Sequence, residues 1–187
     1  MKEMKVYSKE DGVRIELADL RSESPSVKRK VLDWRNGWEV RRWMYQNHEI
    51  QLDEHRCWLL WVKDNPDKYR AFVVYADGEP VGLTGVSGVN NFHKFCEAFI
   101  YIVEARGVAV RVMKKLLWWA FTDLGMGHVC IETFAGNVAA LRTWERAGFC
   151  REGIKPSHVQ FEDCVRMDVV CMGITREQWV DEQGGRG

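Results

Sequence analysis

No run of about eighteen apolar residues occurs anywhere in the chain, which excludes a conventional membrane-spanning helix. The first dozen residues, Met1-Lys-Glu-Met-Lys-Val-Tyr-Ser-Lys-Glu-Asp-Gly12, lack the apolar core of a secretory signal, so a cytoplasmic protein is expected. An excess of either charge is missing too. Lys plus Arg and Asp plus Glu number 27 each, so no global field draws the chain toward nucleic acid or an anionic membrane. Any anionic ligand must be held by local groups. The six cysteines (Cys57, Cys96, Cys130, Cys150, Cys164, Cys171) form no CxxC pair and no close Cys/His cluster. Neither a zinc site nor a disulfide framework is indicated, no metal is expected, and the cysteines read as mostly buried small hydrophobes. Internal repeats and low-complexity linkers are absent as well.

What is present suits one domain in 187 residues. A polar extension over 1–12, a single domain over 13–180 and a flexible tail over 181–187 are expected. Val13 to Leu17 alternates apolar and charged residues and reads as a half-buried strand. The apolar spacing from Val31 to Met44 predicts two short helices joined at Asn36-Gly37, and Asp53 to Lys63 a third, ended by Asn65-Pro66. Arg70 to Tyr75, the turn Asp77-Gly78 and Pro80 to Val89 form a hairpin pattern, followed by strand character from Phe95 to Val103. Val108 to Phe121 is the clearest amphipathic helix; Gly125-Met-Gly127 stops it before a buried strand, His128 to Phe134. Strand, helix, strand implies a parallel pair. Asn137 to Ala147 is a further helix, capped by Asn137 and closed by Gly148, and Cys164 to Cys171 is a closing strand. Of nine tryptophans, five fall between Trp34 and Trp61, which helix packing explains more readily than an aromatic pocket wall.

Two stretches carry chemistry. Arg106-Gly-Val-Ala-Val-Arg111 can present backbone N–H groups at a helix start, which suits a pyrophosphate. About thirty residues on, Asn137-Val-Ala-Ala-Leu-Arg-Thr-Trp-Glu-Arg-Ala-Gly-Phe149 places a side-chain amide at a helix start and an aromatic further along the same face. Together, from Phe95 to Cys171, they resemble the GNAT N-acetyltransferase superfamily. The resemblance implies an α/β fold: a mixed, mostly antiparallel sheet with splayed central parallel strands, flanked by helices. It also implies acetyl-coenzyme A as cosubstrate. Backbone groups of Gly107, Val108, Ala109, Val110 and Arg111 would then meet the pyrophosphate, and Asn137 with Ala140 the pantetheine arm. Ile102 and Val103 would offer backbone N–H to the oxyanion.

The chain departs from the family pattern twice. Ala109 and Arg111 stand where the loop usually has small residues, and Arg111 could approach a phosphate or crowd one. Trp144 stands where similar proteins have the tyrosine that protonates the departing thiolate, and an indole N–H donates a hydrogen bond but no proton. Tyr101 is a substitute candidate, on one face of its strand with Glu97 and Phe99. Glu97, where similar enzymes often carry a carboxylate near the acceptor, is the candidate base, with His55 and His93 as further options.

The N-terminal half, Leu32-Asp-Trp-Arg-Asn36, Val40-Arg-Arg-Trp-Met44 and Glu54-His55, resembles the amino-sugar N-acetyltransferases of pseudaminic acid biosynthesis. Arg35, Asn36, Trp43 and His55 would then hold a nucleotide-linked amino sugar. A polyamine or protein N-terminal amine is the alternative acceptor, favoured if acidic residues line the acceptor cleft, and a non-catalytic acyl-coenzyme A-binding module is a third option. A small-molecule amine is the expected partner, with neither nucleic acid nor membrane, and a homodimer is left open.

Overall fold

The computed structural model describes residues 12–105, 107–161 and 165–184, the last three by backbone alone. Most of the N-terminal extension, Arg106, Cys164 and the end of the tail lie outside the described residues. Seven strands form one sheet in the order β1-β2-β3-β4-β5-β7-β6: β1 Ile15–Asp19, β2 Arg70–Ala76, β3 Glu79–Asn90, β4 Phe95–Ile102, β5 His128–Phe134, β6 Cys150–Gln160 and β7 Arg166–Thr175. Every pairing is antiparallel except β4 with β5. Asp77 and Gly78 both have positive φ, 51° and 89°, as the tight β2–β3 turn requires.

Helices cover both faces. α4, Ala109–Thr122, and α5, Val138–Ala147, pack on one side. Val112, Met113, Leu116, Leu117, Ala120 and Phe121 of α4 are fully buried there, each large side chain contributing about 1.5–3 kcal/mol. On the other face α1, Pro25–Asn36, lays Val31 and Trp34 on a second core with Leu20, Ala71, Val73 and Leu83. α2, Trp38–Arg41, and α3, Leu52–Asp64, follow on that side. β4 divides its side chains between the two: Cys96, Ala98, Ile100 and Ile102 join the first core, and Phe99 and Tyr101 the second.

Several expectations change. α1 starts at Pro25 rather than Val31, because Ser24 accepts from the Val27 N–H and Pro25 opens the helix. β6 is an additional edge strand. α6, Arg176–Gly184, extends helix into the stretch expected to be a flexible tail. Thr175 and Gln178 cap it reciprocally, at 3.3 and 2.8 Å, and Trp179 rests on Phe121. Among the described cysteines only Cys96 is buried, while Cys57 and Cys150 are exposed. The tryptophans divide: Trp34 is core, Trp43 and Trp58 line a cavity, and Trp38 and Trp61 are exposed.

A Cβ at Gly82 would land on the backbone of Tyr101 and Ile102, where β3 meets the end of β4. Gly82→Ala should therefore lower stability by about 1–3 kcal/mol. An unchanged denaturation midpoint would refute that close approach.

Candidate active site

β4 and β5 run side by side only through Phe95↔His128, Cys96↔Val129 and Glu97↔Cys130. Beyond this point each remains paired on its outer edge, β4 to β3 as far as Ile102 and β5 to β7 as far as Phe134, so the inner edges part. In antiparallel pairing successive amides point to alternate edges. The Val103 N–H donates to the Val81 carbonyl at 2.8 Å. Tyr101 and Phe99 consequently share that edge, while the amides of Ile100 and Ile102 face the gap. Of the two expected oxyanion donors, Ile102 keeps an amide on the cleft side and Val103 does not.

A cavity of about 750 Å³ fills the gap and continues beneath the N-terminal helices. Ile102, Val103, Ala109, Thr133, Asn137, Ala140, Thr143 and Trp144 line one half. At its rim, Gly107 (φ 81°) leads toward α4, whose first turn has neither a side-chain cap nor an acidic residue. The first-turn amides, Ala109, Val110 and Arg111 among them, are left for an anion. The Arg111 side chain does not plug the cleft: its Nη2 donates to the Val13 carbonyl at 2.7 Å. Asn137 is an N-cap, its Oδ1 accepting from Ala140 N–H at 3.2 Å, and no described group takes its Nδ2 donors. The Trp144 indole N–H is already spent on Thr133 Oγ1 at 3.0 Å. These features fit an acyl-coenzyme A, with the α4 start for pyrophosphate and Asn137 for the arm.

The other half holds most of the residues expected for the acceptor. Arg35, Trp43 and His55 line it, but Asn36 does not. Asn36 is a clamp, donating to the Ile50 carbonyl (2.9 Å) and accepting from its N–H (2.8 Å). One arm of Arg35 donates to the Gln46 carbonyl. His55 is buried, with Nε2 3.0 Å from the Lys28 carbonyl, and burial lowers its pKa, so it is poorly placed as a base. His93 is exposed in the β3–β4 turn. Burial pushes the Tyr101 hydroxyl up, aided by Tyr69 and opposed by Arg35, which makes it a weaker acid than an ordinary phenol.

Glu97 is exposed to the cavity yet crowded by protein. That partial burial, then repulsion from Glu132, raises its pKa against the pull of Lys155. Glu132 goes the other way. Burial would raise it, but hydrogen bonds from Lys155 and from the Tyr45 hydroxyl (2.6 Å) hold it low. Glu39 and Glu54 add two more carboxylates to the same lining. Glu39, Glu132 and Thr133 are lining residues that sequence reasoning missed, and Glu54 entered it only as part of the Glu54-His55 match, with no role of its own.

A sheet parted around such a cleft, with an uncapped helix start on its rim, defines an acyl-coenzyme A-dependent transferase. A sequence model of the acetyltransferase (GNAT) domain matches residues 14–150, and the chain belongs to that family. It is an acyltransferase of N-acetyltransferase type, with acetyl-coenzyme A as acyl donor, rather than a non-catalytic binding module. Spermidine N(1)-acetyltransferase of Escherichia coli K12 is 25% identical over 146 residues, 76% of this chain and 77% of that protein. Acetyltransferase PseH of Campylobacter jejuni is 26% identical over 121 residues, 64% of this chain and 74% of that protein. The spermidine N-acetyltransferase of Vibrio cholerae, solved with CoA and spermine, superposes with a TM-score of 0.79 at 22% identity, covering 89% of this chain and 98% of that one. That likeness establishes the mixed sheet with one parallel pair as the family fold. The amino-sugar expectation gains no support from these relatives.

Glu132→Gln removes the like charge beside Glu97 and frees Lys155, and both effects favour the ionised form. The Glu97 carboxyl, followed by 13C NMR, should titrate at lower pH in that variant. An unchanged or higher midpoint would refute the coupling.

Proposed function

We propose that the protein acetylates a primary amine of a linear polyamine. The observation that carries this reading is the acceptor half of the cavity, where Glu39, Glu54, Glu97 and Glu132 line a wall whose one described lining cation is Arg35. From outside that lining Arg42 reaches Glu39 (2.7 Å), His48 reaches Glu54 (3.1 Å) and Lys155 reaches Glu132, which leaves Glu97 without an ion-pair partner among the described residues. Trp43, Trp58 and Tyr69 stand among them, and aromatic faces beside carboxylates suit alkylammonium groups. A nucleotide-linked sugar would require the opposite, several Arg or Lys side chains for phosphate. A protein N-terminus carries a single ammonium and has no second cationic group to meet the carboxylates away from Glu97. The spermidine enzymes among the relatives support the same choice.

The acceptor arrives protonated and must lose one proton to become a nucleophile. Glu97, with its raised proton affinity, takes that proton directly or through water. Glu132, kept ionised by Lys155 and Tyr45, supplies a standing negative charge, and Glu39 and Glu54 hold the distal ammonium groups. The acetyl thioester supplies the acyl group. The Ile102 amide, turned toward the cleft, is the donor for the oxyanion, and alignment of two bound reactants contributes much of the acceleration.

Thiol release should be seen with spermidine and spermine, and not with a nucleotide-linked 4-amino sugar or a peptide. Glu97→Gln should lower kcat by about 10²–10⁴-fold. Glu54→Gln should mainly raise KM for the polyamine, as should added salt. Turnover on the amino sugar without turnover on either polyamine would overturn the proposal.

A further inference from the structure

Thr133 lies on β5 just past the last β4 pairing, Glu97↔Cys130, and its side chain lines the half of the cleft that also holds Asn137. A hydroxyl has one proton and two lone pairs, whereas an indole N–H can only donate. Trp144 occupies one lone pair of Thr133 Oγ1 at 3.0 Å, so the threonine's own proton must point elsewhere, and no described group accepts it. Other hydroxyls of the cavity lining are less available for that half. Thr143 gives its proton to the Ala139 carbonyl at 2.8 Å, and Tyr69 and Tyr101 belong to the acceptor half. Ser87 sits on β3 opposite Glu97, outside the gap between β4 and β5.

We propose that Thr133 is a catalytic residue of the acetyl transfer, its hydroxyl oriented by Trp144 to donate a hydrogen bond to the departing sulfur. The amine lone pair forms the new C–N bond, the C–S bond breaks, and its electron pair stays on sulfur. Glu97 has already taken the ammonium proton, and the second proton, shed by nitrogen as the amide forms, passes to water. Thr133 keeps its proton, since an aliphatic hydroxyl is too weak an acid to release it to a thiolate, and water later protonates the sulfur. Trp144 is a positioning residue. The pair Trp144–Thr133 does in two steps what a tyrosine hydroxyl at position 144 would do in one, except for giving up the proton. The inference rests on the family's acetyl transfer and not on which amine is acetylated.

The test titrates the thiol of coenzyme A bound to the full-length protein, by thiolate absorbance in the ultraviolet, and measures turnover alongside. Thr133→Val preserves shape and removes the hydroxyl. It should raise the bound thiol's midpoint by about one pH unit or more. It should also lower kcat by about 10- to 10²-fold with little change in KM for acetyl-coenzyme A. Thr133→Ser should keep both properties, and Trp144→Phe should shift both partway. Adding Trp144→Tyr to Thr133→Val should restore turnover, because the phenol then reaches the sulfur itself. A Thr133→Val protein that binds coenzyme A with an unshifted thiol midpoint and normal kcat would overturn the proposal. A shifted midpoint in a protein that acetylates no polyamine would uphold it while sinking the polyamine reading.

Discussion

The parting of β4 from β5 is the constraint on which the rest of the structure depends. Two strand edges facing each other without hydrogen bonds are costly unless water or a ligand satisfies them. They stay apart because each is held from outside, β4 by β3 and β5 by β7, and because the chain leaving β5 turns at once into α5. That turn is fixed by Asn137 N–H on the Phe134 carbonyl, at 2.8 Å, and Leu141, Trp144 and Ala147 then pack into the core. The gap places cleft-facing amides, an uncapped helix start and the Asn137 amide around one space. A molecule with an amide-bearing arm can enter as the strand that the sheet lacks.

Much of this architecture is legible in the sequence because the relevant elements are strongly patterned. α4 has an apolar stripe of nearly four turns, the Asp77-Gly78 turn demands positive φ, and Asn137 and Gly148 bracket α5 with ordinary capping chemistry. β6 has no such pattern. Nearly all of it is exposed on both faces, so no alternation marks it, and it exists only because β7 offers an edge. α6 likewise has no apolar face beyond Trp179. The one local signal, Thr175 followed three residues later by Gln178, is visible only to a search for reciprocal caps.

The site is legible where one segment supplies it and obscure where several do. Glu97 can be found from its strand, and Asn137 and Trp144 from their helix. The acidic lining cannot, because Glu39, Glu54, Glu97 and Glu132 come from four elements and the chain's charge sums to zero. Asn36 follows Arg35 in sequence yet does different work: Arg35 reaches the cavity, while both ends of the Asn36 amide are consumed by Ile50. Val103 adjoins Ile102, but strand alternation sends its amide to the opposite edge. In both cases neighbours in sequence are not neighbours in function. Trp144 shows a further limit: its departure from the family pattern is plain, while the hydroxyl that receives its N–H lies eleven residues earlier on another element.

The acidic half also separates the roles of its two inner carboxylates. Like charges on one wall drive their proton affinities apart unless counter-charges are shared equally, and here they are not. Lys155 and Tyr45 both bind Glu132, which stays ionised, while partial burial first and then the repulsion from Glu132 raise Glu97 against a weaker pull from Lys155. On the proposed reading, a polyamine entering this field would meet carboxylates that attract its ammonium groups, and beside them one carboxyl, Glu97, whose raised proton affinity suits the proposed proton transfer. Acetylation of such a substrate would turn one ammonium into a neutral amide. The product would hold one positive charge fewer than the substrate against the same carboxylates, so on the proposed reading the electrostatics that gather the acceptor also weaken the grip on what is made from it.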